Sequence, residues 1–537
     1  MVFAFFTPHP ISLMSDTNWL ARNRVLVTIA AVAIVAGVLL RFWPGLVDRP
    51  LWYDEVRTWQ TAFNPAWHEF FLSTIHKEHP PLSYLFVRCA MEIFGPQQFW
   101  AMRLPSLLFG LLCIPAAYAF GKTLMSSRAG IVFAVLVAIN PLLIDQSHQA
   151  RMYTLFMFLL ILVIRQLVLA SDRNTTSSWV VFGLLAGLLG WSHQLAMVVW
   201  PGLMIGILFL VWDSFRHKGH EFSRLLKHVW LSAAVALIVN LPPLLLLIRR
   251  LLAKPRGSES SAVFLVSKVG ELLDKLLGDF PLYLFVLSVA IIGLYFLYKN
   301  GFKSIAVTLA AIAMFTLIAQ IPLSRLHHVY SSRYLIPLLF PVWVGLLAAM
   351  KYASPGFFQK TVVAVVILFS FHSLFKGFDQ TLHKLPHMYQ YGTATEFVLN
   401  SYVEDEAVLY FPSYMRHFCQ PYGYRHPGFE EANPCVRSKQ YFVLQDSLGR
   451  SGSAGLWWVV RPSKIFKSTD SEQKFIAQLE RIASGFDLDF HISDPATLPR
   501  KSPLIFHFMP DSLDIFTLKA VSVNEAEVLY LSREVIR

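Results

Sequence analysis

Charged side chains are scarce in this sequence. Aspartate, glutamate, lysine and arginine make up 15% of its 537 residues, whereas hydrophobic residues make up 55%. Soluble domains carry about 25% charged residues and roughly 45–50% apolar ones. This imbalance, with a mean hydropathy of +0.49, excludes an ordinary soluble globular protein. It indicates a polytopic membrane protein, in which helices of roughly 20 apolar residues cross the hydrocarbon layer.

Several signatures of soluble catalysts and repeat proteins are also absent. The sequence contains no internal repeat, Walker loop, zinc-ligand spacing or nucleophile elbow. Of only four cysteines, Cys419 and Cys435 share the C-terminal part, where they are candidates for one extracytoplasmic disulfide. The net charge of +12 comes from basic residues spread through short loops and not gathered in one stripe. Nucleic acid is therefore not a predicted partner.

About eleven apolar segments are long enough to be membrane spans. Arg22 and Arg24 precede the first segment, so the positive-inside bias predicts a cytoplasmic N-terminus. No small-residue cleavage site follows that segment, which predicts an anchor and not a removed signal peptide. The predicted spans are 25–40, 104–121, 130–144, 153–170, 179–195, 197–212, 230–248, 281–298, 305–322, 334–350 and 361–375.

The segment 80–94 decides on which side the later loops lie. It is short and carries Arg88 and Glu92, whose charges are costly in lipid, so we interpret it as an interfacial helix. With this choice, most loops rich in lysine and arginine fall on the cytoplasmic side. The basic stretch 249–275 falls outside, which indicates either an error in the topology or a binding surface for an external anion.

The pattern changes from about Asp379 onward. Short apolar runs there are typical of strands, at 407–411, 441–444, 456–460, 504–508 and 528–531, and the stretch 471–484 is typical of an amphipathic helix. The sequence therefore predicts an α-helical membrane domain over 1–378, with its first external loop at 44–102. A soluble extracytoplasmic α/β domain is predicted over 379–537.

The first external loop carries the polar residues best suited to chemistry. Asp54 and Glu55 follow the first span in an aromatic-rich stretch that is typical of the headgroup level. Asp54 and Arg57 are three positions apart, so one helical turn would place them on the same face, where the cation could bind an anion beside the carboxylate. The structural alternative is an interfacial helix with a local ion pair.

Three further polar clusters lie in predicted external loops. Residues 76–79 contain Lys77 and His79 before a proline pair, for which loop punctuation is the alternative interpretation. Residues 145–153 place Arg151 at the mouth of the next span, where an arginine can also serve as a snorkelling anchor. Residues 324–334 contain Arg325 and Arg333 around two histidines. His193, near the outer end of its span, is interpreted as a satisfied intramembrane histidine.

Taken in order, these motifs resemble those of the GT-C glycosyltransferases. The Asp-Glu pair is followed by the motifs His79-Pro-Pro-Leu82, Arg103-Leu-Pro-Ser106, Ala150-Arg-Met-Tyr153 and Ser332-Arg-Tyr334. The branch that the chain resembles most contains the dolichyl-phosphate-mannose protein mannosyltransferases and the lipid A aminoarabinose transferase. The resemblance covers most of residues 25–375.

The resemblance implies a sugar transfer from a polyprenyl-phosphate donor to an acceptor hydroxyl at the outer membrane face, with inversion at the anomeric carbon. Asp54 is the candidate general base, and Glu55 is assigned a supporting role. The leaving phosphate requires fixed cations. A divalent ion could replace them, but no second external carboxylate cluster would hold it, so neither metal nor cofactor is predicted. The predicted phosphate-binding residues are Arg57, Lys77, His79, Arg103, Arg151, Arg325 and Arg333.

The predicted enzyme is a multi-pass protein of the plasma (inner) membrane with an extracytoplasmic, or periplasmic, C-terminal domain. Its expected partners are a polyprenyl-phosphate-linked sugar and a lipid, glycan or protein acceptor. The alternative is a transporter or flippase of lipid-linked or small polar solutes, whose ionisable groups would line a path near the midplane. Here they lie mainly at span ends, which favours the enzyme. A noncatalytic membrane assembly subunit is a third interpretation.

Overall fold

The structure, a computed structural model, is organised around long apolar helices. Its helices are α1 (Arg24–Gly45), α2 (Tyr53–Ala62), α3 (Trp67–Ile75), α4 (Leu82–Phe94), α5 (Phe99–Leu124), α6 (Ser127–Ile139), α7 (Pro141–Ser147), α8 (Tyr153–Arg173), α9 (Thr176–Ser192), α10 (Ala196–His217), α11 (Gly219–Leu252), α12 (Leu282–Lys299), α13 (Lys303–Ile318), α14 (Ile336–Tyr352), α15 (Phe357–Asp379) and α16 (Gln390–Ser401). The structure describes residues 24–45, 49–63, 66–75, 79–217, 219–252, 281–319, 332–353, 356–379 and 390–401, the strands given below and a few isolated positions.

Many of these helices are long and apolar enough to cross a membrane. Within the described ranges, 7 helices qualify, and the pair α6 and α7 makes an eighth candidate. Shorter apolar stretches occur in α1, α9 and α13. The chain is therefore a multi-pass membrane protein, and every predicted apolar segment except 130–144 overlaps a single helix in the described part of the chain. That all of them span the membrane stays a prediction.

The segment 130–144, which we predicted as one span, is broken. Helices α6 and α7 meet at an angle of 60°. Asn140 starts the second helix, because its side-chain oxygen accepts a hydrogen bond from the backbone N–H of Leu143 at 3.0 Å. Pro141 follows at the first helical position, where its missing N–H removes no helical bond. An N-cap and a proline together therefore end one helix and start another.

A buried arginine joins α1 to the end of α6. The guanidinium of Arg41 donates to the carbonyl oxygens of Gly37 and Val137, each at 2.8 Å, and also to that of Ala138. The last carbonyls of a helix have no partner within that helix, and a cation is favourable there. A side chain at Gly37 would collide with the Ala138 carbonyl, so glycine allows the close approach.

Helix α4 occupies the segment predicted to lie in the interface. Its charges are partly compensated within the helix, because Arg88 Nε lies 3.0 Å from Glu92 Oε1, one turn further on. The Arg88 side chain is nearly buried and that of Glu92 is largely exposed. Helix α4 is not one of the candidate spans found within the described residues. The sidedness that depends on this choice stays a prediction.

The C-terminal part contains a five-stranded sheet in the order β1-β2-β3-β4-β5. Strands β1 and β2 are parallel, whereas every later pair is antiparallel. The strands are β1 (Ala407–Phe411), β2 (Leu456–Val460), β3 (Leu504–Met509), β4 (Ser512–Val523) and β5 (Ala526–Ile536). Four of the predicted strand runs are thus present. The fifth run, at 441–444, most of the predicted helix 471–484, and both Cys419 and Cys435 lie outside the described residues.

The chain divides into two compact units. The helical unit comprises residues 1–46, 65–87 and 103–378, and the sheet unit comprises residues 47–64, 88–102 and 379–537. The predicted first external loop, 44–102, is therefore shared between them. That the residues from Asp379 onward form one extracytoplasmic α/β domain stays a prediction.

Candidate functional site

The two adjacent carboxylates lie in the first turn of α2, in the sheet unit. Glu55 occupies the third helical position, is fully buried, and accepts a hydrogen bond from the backbone N–H of Trp52 at 3.5 Å. The first N–H groups of a helix have no partner within it and carry positive partial charge, so a carboxylate is favourable there. Glu55 therefore serves the start of its own helix.

Asp54 precedes Glu55 and is half-buried. Its backbone carbonyl accepts a hydrogen bond from the Thr58 hydroxyl at 3.0 Å. The helix beneath it is anchored by Trp59, which is fully buried, donates from Nε1 to the Pro96 carbonyl at 3.0 Å, and stacks on Phe63 at 4.3 Å between ring centroids. Asp54 therefore lies half-buried in the first turn of an anchored helix.

Arg57, predicted to bind phosphate, contacts the C-terminal part of the sheet unit. Its Nη1 donates to the Gln60 side-chain oxygen at 3.3 Å and lies 3.4 Å from His417 Nε2. The Gln60 amide nitrogen lies 3.1 Å from His417 Nδ1. The structural alternative from the sequence was a local ion pair between Arg57 and Asp54. In the structure, Arg57 instead contacts His417, which is far along the chain. This set of contacts holds α2 against the residue at 417.

In the helical unit, five polar residues come together that we call the arginine–histidine cluster: His79, Arg151, Tyr153, His193 and Arg333. Three of them, His79, Arg151 and Arg333, were predicted from the sequence to bind the donor phosphate. They come from three distant parts of the chain. The fold therefore brings together side chains whose proximity no local spacing could show.

Arg151 lies just before α8 and is held through its backbone. The Ser106 hydroxyl donates to the Arg151 carbonyl at 2.7 Å, and the Arg151 N–H donates back to that hydroxyl at 3.2 Å. The Arg151 guanidinium Nη2 lies 3.3 Å from His79 Nε2. A guanidinium can only donate, so His79 Nε2 is the acceptor and carries no proton. The motif residues Ser106, Arg151 and His79 thus form one connected group.

Arg333 lies in a short 3-10 helix, Ser332–Leu335, directly before α14. Its guanidinium carbon is 5.8 Å from the centre of the Tyr153 ring and 5.7 Å from that of Tyr334, within the range of a cation–π interaction. The Tyr153 ring is itself 4.8 Å from the His193 ring. Tyr153 therefore connects the second guanidinium to the histidine.

His193 lies in the loop between α9, which ends at Ser192, and α10, which begins at Ala196. The residue is 2% exposed, and its Nδ1 accepts a hydrogen bond from the Leu195 N–H at 2.9 Å. Its Nε2 has no hydrogen-bond partner among the described residues. The predicted satisfied histidine is thus satisfied at one nitrogen only.

The remaining predicted site residues are placed differently. Arg103 is fully buried in α5, on the turn that precedes Ser106. Lys77 and Arg325 lie outside the described residues. No group of three or more histidine, cysteine, aspartate or glutamate side chains in the described part of the chain could hold a metal ion. Asp54, Glu55 and Arg57 share α2 of the sheet unit, whereas the arginine–histidine cluster belongs to the helical unit.

Comparison with known proteins supports the resemblance drawn from the motifs. Residues 78–246 match the dolichyl-phosphate-mannose-protein mannosyltransferase family. This stretch contains His79, Arg103, Arg151 and His193. No curated protein matches the chain.

Three solved structures share the fold. ArnT from Cupriavidus metallidurans in the apo state is 16% identical with a TM-score of 0.51, over 85% of this chain and 95% of that one. The same protein bound to undecaprenyl phosphate is 15% identical with a TM-score of 0.52, over 89% and 97%. The oligosaccharyltransferase of Archaeoglobus fulgidus is 12% identical with a TM-score of 0.50, over 84% and 69%. The resemblance to GT-C glycosyltransferases of the mannosyltransferase and ArnT kind is confirmed.

Proposed function

We propose that the protein is an inverting glycosyltransferase that moves a sugar from a polyprenyl-phosphate-linked donor to an acceptor hydroxyl. The observation that carries the proposal is the arginine–histidine cluster. Two guanidinium groups and two imidazoles meet there at the ends of apolar helices. Ionisable side chains at membrane depth are rare and costly, and they often mark a functional site. A lipid phosphate is an anion that such a site can receive from the membrane.

The chemistry assigned to the cluster is binding of the departing phosphate. In the transfer, the acceptor oxygen bonds to the anomeric carbon while the bond from that carbon to the phosphate oxygen breaks, and its electron pair stays on the phosphate. Arg151 and Arg333 would stabilise this developing charge, because fixed cations lower the energy of a transition state in which charge appears. The displacement is direct, which inverts the anomeric carbon.

We assign to Asp54 the removal of the proton from the acceptor hydroxyl. A hydroxyl is a weak nucleophile unless a base removes its proton during attack. Glu55 is assigned a positioning role, because it is buried and bound to the N-terminus of α2. The other predicted phosphate ligands keep that role in the proposal: Arg57, Lys77, His79, Arg103 and Arg325.

The comparisons support the donor class without fixing the sugar. ArnT, which shares the fold, has been solved with undecaprenyl phosphate bound. A polyprenyl phosphate is therefore the carrier we propose here. The acceptor is a lipid, a glycan or a protein at the outer face of the membrane.

The proposed location is the plasma (inner) membrane, with a cytoplasmic N-terminus and an extracytoplasmic sheet unit. The proposal rests on the positive-inside bias of the loops. A cysteine replacing Ser451 should react with an impermeant thiol reagent in intact spheroplasts, and one replacing His217 should be protected. Labelling of the His217 variant and protection of the Ser451 variant would reverse the orientation.

The activity is tested with the purified protein in liposomes. Polyprenyl-phosphate sugars labelled in a hexose or a pentose are supplied together with a membrane glycolipid extract, and the product is analysed for transferred label and anomeric configuration. We expect label to leave the lipid carrier and to appear with the inverted configuration. Movement of the intact labelled lipid or of a solute across the bilayer, without cleavage of the sugar–phosphate bond, would instead establish a transporter or flippase.

A further inference from the structure

The protonation of the His193 ring is fixed by its backbone neighbour. The Leu195 N–H donates to His193 Nδ1 at 2.9 Å, so Nδ1 must offer its lone pair. A neutral imidazole carries one proton, which therefore lies on Nε2. The Nε2–H is thus a hydrogen-bond donor pointing away from the loop that holds Nδ1.

This donor is buried and has no acceptor in the described part of the chain. A buried N–H without an acceptor costs about 1–3 kcal/mol, and such groups are rare in folded proteins. The His193 ring is enclosed by other rings: the centroid of His79 is 5.2 Å away, that of Tyr153 is 4.8 Å away, and that of Phe156 is 6.0 Å away. An acceptor supplied by a bound molecule would satisfy this N–H.

The charge around His193 indicates which kind of acceptor fits. Arg151 contacts His79, the neighbour of His193, and Arg333 lies against the Tyr153 ring. Two guanidinium groups next to a neutral N–H donor favour an anion with several oxygens. A phosphate monoester offers three acceptor oxygens and forms strong charge-assisted hydrogen bonds to guanidinium groups.

We propose that the Nε2–H of His193 donates a hydrogen bond to a phosphate oxygen of the lipid carrier, which makes His193 a further phosphate-binding residue of the arginine–histidine cluster. The inference rests on the proposed function, and it adds a neutral donor to the arginines. Leu195 acts through its backbone, because its N–H holds the ring in the tautomer that can donate. His193 thereby binds phosphate without having to be protonated.

Two substitutions separate the two nitrogens of the ring. In His193→Asn, the side-chain oxygen can still accept from the Leu195 N–H, but nothing reaches the position of Nε2. In His193→Gln, the amide nitrogen reaches the Nε2 position as a donor, whereas the contact with Leu195 is lost. If His193 has only a structural role, asparagine should preserve the function better than glutamine. If His193 donates a hydrogen bond to phosphate, glutamine should preserve phosphate binding better than asparagine.

The measurement is equilibrium binding of farnesyl phosphate to the full-length protein in detergent. Farnesol and inorganic phosphate serve as comparison ligands, and a thermal melt is recorded for each variant.

His228→Asn is the matched control, because His228 is a buried histidine of the same unit whose two ring nitrogens contact Asn174 and Thr176. We expect His193→Asn to bind farnesyl phosphate about 10- to 100-fold more weakly than wild type, which is the usual effect of losing one hydrogen bond to a charged group. His193→Gln should remain within a few-fold, and His228→Asn should leave binding unchanged.

The comparison ligands separate the sources of the phosphate. Farnesol should show no difference between wild type and His193→Asn, and inorganic phosphate should bind too weakly to replace the lipid. Farnesyl phosphate binding that is equal in wild type and His193→Asn, with a lowered melting temperature in His193→Gln, would overturn the role of His193 and leave the proposed function intact. Failure of wild type itself to bind farnesyl phosphate would overturn both.

Discussion

Two buried arginines of the helical unit show opposite uses of the same side chain. Arg41 is fully buried, and both of its terminal nitrogens donate to backbone carbonyls of α1 and α6. Arg151 is 9% exposed, is held in place through its backbone by Ser106, and directs its guanidinium at the imidazole of His79. One cation completes a helix junction, and the other lies in a cluster with a second guanidinium and a second histidine.

A buried positive charge in a membrane protein is therefore not by itself a binding site. Backbone carbonyls at a helix end are permanent partners for such a charge, because no N–H of their own helix can donate to them. Around Arg151 and Arg333, by contrast, the described neighbours include an imidazole and aromatic rings. The two neighbouring carboxylates of α2 also differ in burial, because Glu55 is fully buried and accepts from the N-terminus of its own helix, whereas Asp54 is half-buried.

The largest loss of sugar transfer is expected for substitution of Asp54, one of the two carboxylates of α2. Asp54→Asn should reduce sugar transfer by about a hundredfold to ten thousandfold, because it removes the general base with little change in shape. Glu55→Gln should cost only a few-fold, since glutamine also serves at the third helical position of a capping box. Initial rates with saturating donor and acceptor measure both. If Asp54→Asn kept most of the activity, the assignment of the base would be wrong.

The second-largest loss of activity is expected for substitution of Arg151. Arg151→Ala should weaken use of the lipid-linked donor by about 10- to 100-fold, because it removes a charged hydrogen-bond donor to the phosphate. Arg151→Lys should recover part of this loss, since it keeps the charge but not the planar fork. The measurement is kcat/KM against donor concentration at fixed acceptor. Equal donor dependence in wild type and Arg151→Ala would remove Arg151 from the phosphate site.

The smallest effect is expected at Arg57, whose contacts lie within the sheet unit. Arg57→Ala should lower donor use by roughly tenfold and Arg57→Lys by less, if the charge acts on the phosphate. His417→Ala serves as the structural comparison, because it removes the partner of Arg57 without removing the charge. A lowered melting temperature in all three variants, with donor dependence unchanged, would show that Arg57 only holds α2 in place.

Much of the fold could be predicted from apolar runs, because a helix across the membrane needs a continuous stretch of such residues. The break between α6 and α7 had a sequence signal, since Asn140 followed by Pro141 is typical of a helix start. We nevertheless predicted 130–144 as one span, because the whole segment is hydrophobic. The partners of Arg41 on α6 were not predictable, because they lie about a hundred positions away on another helix.

The candidate site was predictable in its residue types and not in its assembly. The short motifs identified His79, Arg151 and Arg333, but their convergence depends on how distant helices pack. The contact of Arg57 with His417 likewise depends on the fold. Which nitrogen of His193 accepts a hydrogen bond was not predictable, because it depends on the position of the Leu195 backbone N–H, which the sequence does not specify.

The most direct test of the account compares Arg41→Met with Arg151→Met in one thermal melting experiment, each with and without a polyprenyl phosphate in detergent. A ligand that binds only the folded state raises its stability, by about 2.7 kcal/mol at a hundred times Kd. We predict that Arg41→Met melts at a lower temperature than wild type, since it deprives three buried carbonyls of a donor, and that the lipid still raises its melting temperature. Arg151→Met should lose most of that rise. Loss of the lipid-induced rise in Arg41→Met, with a full rise in Arg151→Met, would contradict the account.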